Sequence, residues 1–247
     1  MITGMADAGI DLQRQVDPRL QLDEPMPSVD FSQWRTRLVY SLVAAKESAK
    51  SETEFLRHVG SMTGVAPAAD QVDRRHVIAR RLPVHRWPEQ PLLVVAVNAD
   101  SGERCVFDRT SNVELIDAVA ASCAVAGIWP ATVIKGARYI DGRFYSIDNA
   151  DLATGSDRVV ILTLPARVPP LCVSSLDVAV EQLQRHDARV EVVLPDESSQ
   201  AAFASVGGNL LDPALRETAG RAGRAQGRAV AQHVASFWQE RVNGQDP

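Results

Sequence analysis

The sequence predicts an α/β fold, and three observations carry that prediction. Short continuous Val-rich runs, LLVVAVN at 92–98 and RVVILTL at 158–164, have the character of strands covered on both faces. A helical stretch at 175–184 separates the second run from another at 189–194, and strand–helix–strand order makes parallel neighbours with a right-handed crossover. Finally, 247 residues with 45% apolar and 23% charged content describe an ordinary globular chain long enough for one large domain, taken here as 1–247.

In chain order, residues 1–30 read as a loop-like lead-in punctuated by Asp17-Pro18, Glu24-Pro25 and Met26-Pro27, with 12–15 as the tail of a helix. A helical region, 31–90, follows. Ser28 or Asp30 caps a helix over 31–58, in which Trp34, Leu38, Leu42, Val43 and, farther on, Phe55, Leu56 and Val59 roughly keep a helical period, and Gly60 to Pro67 breaks it. A second helix covers 69–81. The sheet core, 91–195, opens with the strand at 92–98, the turn Ala99-Asp100-Ser101-Gly102 and a returning strand at 104–107. A small-residue helix at 113–125 suits close packing on a sheet, and a short strand at 138–140 delivers Asp141-Gly142. The remainder, 196–247, reads as a C-terminal helix over 213–241, with Asp212 as N-cap and Pro213 in its first position. Gly220, Gly223 and Gly227 each cost about 1 kcal/mol against Ala in a helix interior, so a closely packed backbone is expected there. Arg221, Arg224 and Arg228 share one face, which reads as a solvated edge.

Several chemistries are excluded early. With 26 basic against 31 acidic residues the formal charge is −5, the wrong sign for a nucleic-acid partner. No run approaches the roughly 18–20 apolar residues of a membrane span, and MITGMADAGIDLQRQ lacks a secretory pattern, so a cytoplasmic protein without stable membrane insertion is expected. Cys105, Cys123 and Cys172 lie far apart without zinc spacing and read as small buried residues. Gly-rich phosphate loops are absent and the five histidines are scattered, so neither a metal nor a cofactor is expected. None of the 15 glycines is followed two places later by a serine, so the nucleophile elbow G-x-S-x-G is absent too. Gly60-Ser61-Met62-Thr63-Gly64 only imitates it.

Taken alone, Asp141-Gly142 between alternating apolar residues is a hairpin turn. The whole stretch AVAASCAVAGIWPATVIKGARYIDGRFYSIDNADLATGSDRVVIL, from Ala118, resembles the C-terminal half of patatin-like phospholipase domains. There a helix ending A-S-x-A-x-P-G leads to an aromatic-Pro segment and then to a strand ending in Asp-Gly-Gly or Asp-Gly-Ala. The segments LLVVAVNADSGERCVFD, HVIARRLPVHRWPEQP and LLDPALRETAGRAGRAQGRAVAQ are similar to the bacterial, actinobacterial-type branch, and the likeness runs over 13–238 in the family's order.

The resemblance implies a three-layer α/β/α domain with a mostly parallel sheet that hydrolyses acyl esters of lipids, phospholipase or esterase in type. Its catalytic device is a Ser–Asp dyad that uses no cofactor. Asp141 falls on the dyad base and Gly142 on the turn after it. Arg143 replaces the family's Gly or Ala and is expected to crowd the acyl site or pair with Asp141, lowering its basicity. Ala126 replaces the usual Pro. Ser122 and Asn149 are candidate site-lining residues, while Ser122, Ser146 and Cys123, considered as substitute nucleophiles, read better as packing and loop residues. The family's oxyanion loop and elbow belong before the part that aligns with 1–17, so the expected domain is N-terminally truncated, lacks its nucleophile and first parallel strand, and is prone to self-association. The alternative is a non-catalytic relative that binds a lipid or a partner.

Overall fold

In a computed structural model the described residues are 31–64, 74–82, 84–164, 172–206, 212 and 214–239. The expected lead-in over 1–30, the start of the helix over 69–81, Pro213 and residues 240–241 lie outside them. The chain forms two compact units: one holds described residues 31–149 and 172–175, the other 150–164 and 176–239.

The first unit opens with two helices, α1 (Phe31–Ser48) and α2 (Glu52–Ser61), where one helix over 31–58 was expected. A local hydrogen-bonding device divides them. Ser51 caps α2, its Oγ accepting the Glu54 N–H at 3.1 Å, while Glu54 Oε2 accepts the Lys50 N–H at 2.7 Å. These two bonds satisfy donors that a continuous helix would not leave free. Helix α3 is Arg74–Arg81. Strands β1 (Val94–Asn98) and β2 (Arg104–Phe107) form the expected hairpin, and α4 (Leu115–Ser122) is the expected small-residue helix.

A second hairpin joins β3 (Thr132–Ile134) to β4 (Ala137–Asp141). Its turn is Lys135-Gly136, with φ of 51° and 83°, the left-handed pair that a tight two-residue hairpin requires. Asp141-Gly142 is therefore a strand end and not a hairpin turn.

The sheet order is β2-β1-β4-β3, and all three pairings are antiparallel. The expectation of a mostly parallel sheet fails here because a continuous apolar run reports cover on both faces, not strand direction. That cover is present. Val94, Ala96 and Phe107 pack with residues of α3 and α4 on one face; Val97 and Ile140 pack with residues of α1 and α2 on the other. The α/β/α layering is thus realised around an antiparallel sheet.

The second unit contains β5 (Arg158–Leu162), α5 (Leu176–Arg185), β6 (Arg189–Val193), α6 (Glu197–Ser205) and α7 (Leu215–Gln239). Here the parallel expectation holds: β5 and β6 pair in parallel from Arg158↔Arg189 to Leu162↔Val193. Ala179 and Leu183 of α5 bury against Val159 and Ile161. Helix α6, unanticipated, is started by Asp196, whose Oδ1 accepts the Ser199 N–H at 2.8 Å. Gln226 of α7 accepts from Asp196 N–H and Ser199 Oγ and donates to the Leu194 carbonyl, pinning that cap.

Just ahead of the last helix, Asp212 Oδ1 accepts the Ala214 N–H at 2.9 Å, and the helix itself runs from Leu215. The close packing expected at the α7 glycines is not found at Gly223 or Gly227, where an added Cβ meets nothing within 4 Å. Arg221 pairs with Glu217 one turn earlier, as a solvated face does. Among the described residues no helix is long and apolar enough to cross a membrane.

Candidate functional site

The site is built at the end of β4. Asp141 pairs with Ala96 of the central strand β1, and its N–H donates to the Ala124 carbonyl at 3.0 Å, so its backbone is held from two sides. Directly opposed residues project to the same face of a sheet. Asp141 therefore shares the α4 face with Ala96 and Tyr139, while Ile140 points into the α1/α2 layer. The carboxylate turns back on the chain: Asp141 Oδ1 accepts the Arg143 N–H at 2.9 Å and starts a 3-10 turn, Gly142–Phe144.

Gly142 is required there by contact. A Cβ at this position would sit 2.6 Å from the Val95 carbonyl oxygen and 2.8 Å from its carbon. The turn lies directly on β1, and only a residue without a side chain fits between.

These residues open onto a cavity of about 620 Å³. Leu92, Val94, Leu115 and Val119 give it an apolar wall, and Ser122, Asp141, Gly142, Arg143 and Asn149 all line it. The structure thus brings together every residue that the sequence singled out for the site. Cys123 lines it too and is half-buried, where burial was expected. Ser146 does not line it. That residue is fully buried and its Oγ accepts the Asn149 N–H at 3.1 Å.

Asn149 laces the loop behind the aspartate. Held at φ 48°, it donates from Nδ2 to the Ser146 carbonyl at 2.6 Å and to the Gly142 carbonyl at 3.5 Å. The left-handed backbone suits Asn better than most residues.

Burial pushes the Asp141 carboxyl up from 3.8 to about 6, while the hydrogen bond from the Arg143 backbone and the Arg143 charge pull it down. Arg143 acts in the direction expected of it, but desolvation by the cavity wall is the larger effect. The carboxyl is left with a proton affinity suited to general-base work near neutral pH. Among the described residues no group of three or more His, Cys, Asp or Glu side chains is arranged to hold a metal ion.

Sequence reasoning missed the wall contributed by residues 82–95, including Arg86 and Trp87. Trp87 ties this irregular segment down by donating Nε1–H to the Val113 carbonyl at 2.8 Å. The available signal was Trp87-Pro88 and Leu92-Leu93 in a polar stretch. Large apolar residues that follow neither a helical nor a strand period still need a place to pack.

A family model described as patatin-like phospholipase matches residues 15–154, which is more than half the chain and includes every residue lining the cavity. No curated protein matches the chain.

Proposed function

Because the chain belongs to the patatin-like phospholipase family, we propose that it is a lipid acyl-ester hydrolase of phospholipase or esterase type in which Asp141 is the base of a Ser–Asp dyad. The observation that carries this reading is the placement of Asp141: a carboxyl at the end of a central strand, desolvated, opening onto a largely apolar cavity large enough for an acyl chain. Ancestry in lipid hydrolysis follows from the family itself.

In this mechanism Asp141 accepts the proton of a serine hydroxyl as the oxygen attacks the ester carbonyl, then returns that proton to the departing alcohol. In the second half it takes a proton from water as the water oxygen attacks the acyl-enzyme carbonyl, then returns that proton to the departing serine oxygen, which frees the carboxylic acid and restores the dyad. Asn149 and Gly142 hold the turn that aims the carboxylate. The serine of a G-x-S-x-G elbow does not occur within these 247 residues, and the proposal assigns it to sequence outside them. The working protein is then a cytoplasmic hydrolase that meets lipid transiently.

A second reading, a non-catalytic relative that binds a lipid or a partner, is favoured by two specific observations. The sequence lacks the elbow and places Arg143 beside the base. A fluorophosphonate probe separates the two. Labelling of the protein from its native source, located by intact mass and N-terminal peptide on a G-x-S-x-G serine and lost in Asp141→Asn, supports the hydrolase. A native mass equal to the 26.8 kDa of this chain with no labelling overturns it and leaves the binding role.

A further inference from the structure

Among the described residues of the first unit seven large apolar side chains are exposed, and three of them, Val84, Leu93 and Ile147, line the same cavity. They are 42%, 46% and 38% exposed. Exposed aliphatic residues scattered singly are ordinary; several grouped around one opening mark a contact surface. They come from distant parts of the sequence, two from the irregular segment before β1 and one from the loop after Asp141, so no single amphipathic helix produced the pattern.

The charges around them decide what the surface fits. Arg86 and Arg143 line the cavity with exposed side chains, and against them stand Glu89, exposed, and Asp148, half-buried. These four sum to zero; the fifth charged lining residue, Asp141, is largely buried and adds one negative charge when ionised. The whole chain carries −5, so an anionic bilayer would repel the protein at long range and the rim would not compensate. A lipid surface of zwitterionic head groups presents both signs within one layer, as the rim does, with hydrocarbon immediately beneath.

We propose that the rim formed by Val84, Leu93 and Ile147 seats the cavity mouth on a zwitterionic lipid surface. An acyl chain then passes from the lipid layer into the cavity without crossing water. The contact is shallow: three aliphatic side chains enter the head-group boundary, and Arg86, Arg143, Glu89 and Asp148 stay among the head groups. The proposal rests on the reading of the cavity as an acyl site, but docking needs no turnover and is measured separately from it.

The test is co-sedimentation of the 247-residue chain with phosphatidylcholine vesicles. Binding is expected in the wild-type protein, unchanged between 50 and 500 mM salt and not improved by adding phosphatidylserine. Leu93→Asp and Ile147→Asp are each expected to weaken it about tenfold, since a charge replaces an aliphatic group that must leave water. Val133→Asp, at an exposed valine away from the cavity, is expected to bind as wild type. The gentler Leu93→Gln covers the case in which an acidic variant fails to fold and is expected to weaken binding in the same direction. Absence of binding, binding untouched by the rim variants, or salt-sensitive binding confined to phosphatidylserine overturns the proposal. So does a dimer that the rim variants convert to monomer while vesicles are ignored, which assigns the rim to a second copy. Failure of the hydrolase reading has a different signature: vesicle binding intact, with no serine labelled in the native protein.

Discussion

Replacing Asp141 by Asn tests the electrostatics of the site through folding, without reference to any reaction. A carboxyl that releases its proton near 6 in the folded chain, against 3.8 in water, is harder to ionise in the fold by about 3 kcal/mol. The sign follows from proton counting. Below about pH 4 the group is neutral in both states and costs nothing. Between 4 and 6 the unfolded chain loses the proton while the fold retains it, so stability falls as pH rises; above 6 the full cost is present. Asparagine is neutral throughout and keeps an oxygen for the Arg143 N–H. The stability of Asp141→Asn minus that of wild type is therefore expected to grow by about 2 kcal/mol from pH 4 to pH 6.5 and to level off above pH 7, about 3 kcal/mol over its low-pH value. Urea denaturation of both proteins across that range measures the difference and cancels every other titrating group. A difference that is flat with pH, or that shrinks as pH rises, refutes the claim that this carboxylate is desolvated.

Three further outcomes are expected from thermal or urea unfolding. Gly142→Ala is destabilising by about 1–3 kcal/mol, because its methyl group must displace the Val95 backbone of a central strand. Ser51→Ala costs about 1 kcal/mol by removing the cap that divides α1 from α2. Gly227→Ala in α7 stabilises by about 1 kcal/mol, since nothing occupies the space around it and the helix gains a better former.

How much of this was legible in the sequence depended on how local the cause was. The β1–β2 hairpin, the small-residue helix and the β5–α5–β6 unit follow from periodicity and turn residues a few positions apart, and all appear where expected. The break between α1 and α2 was written in S-E-T-E at 51–54 but was overridden by an apolar period that continues across it. Strand direction in the first unit was not legible. Val94, Ala96 and Val97 state only that both faces are covered, and pairing partners lie as far as 45 residues away, as Ala96↔Asp141 does. For the site, Asp141 and Gly142 were visible through a motif. The wall from Leu82 to Val95 was not, because an irregular segment shows no period and its role depends on where Trp87 finds the Val113 carbonyl.

The position of Asp141 in the hydrogen-bond ladder also governs which kinds of genetic change the site survives. Asp141 stands opposite Ala96 and Ile140 opposite Val97, with the two side chains on opposite faces. Substitutions in the Lys135-Gly136 turn leave that count alone, provided the left-handed backbone is kept. A single-codon insertion or deletion between 137 and 141 does not: it advances the strand by one place, presents Ile140's position to the cavity and drives a carboxylate among Leu42, Leu56 and Val59. Descendants of this chain are accordingly freer to vary in the spelling of β4 before Asp141 than in its length, and alignment gaps across this strand would mark lineages that have lost the site altogether.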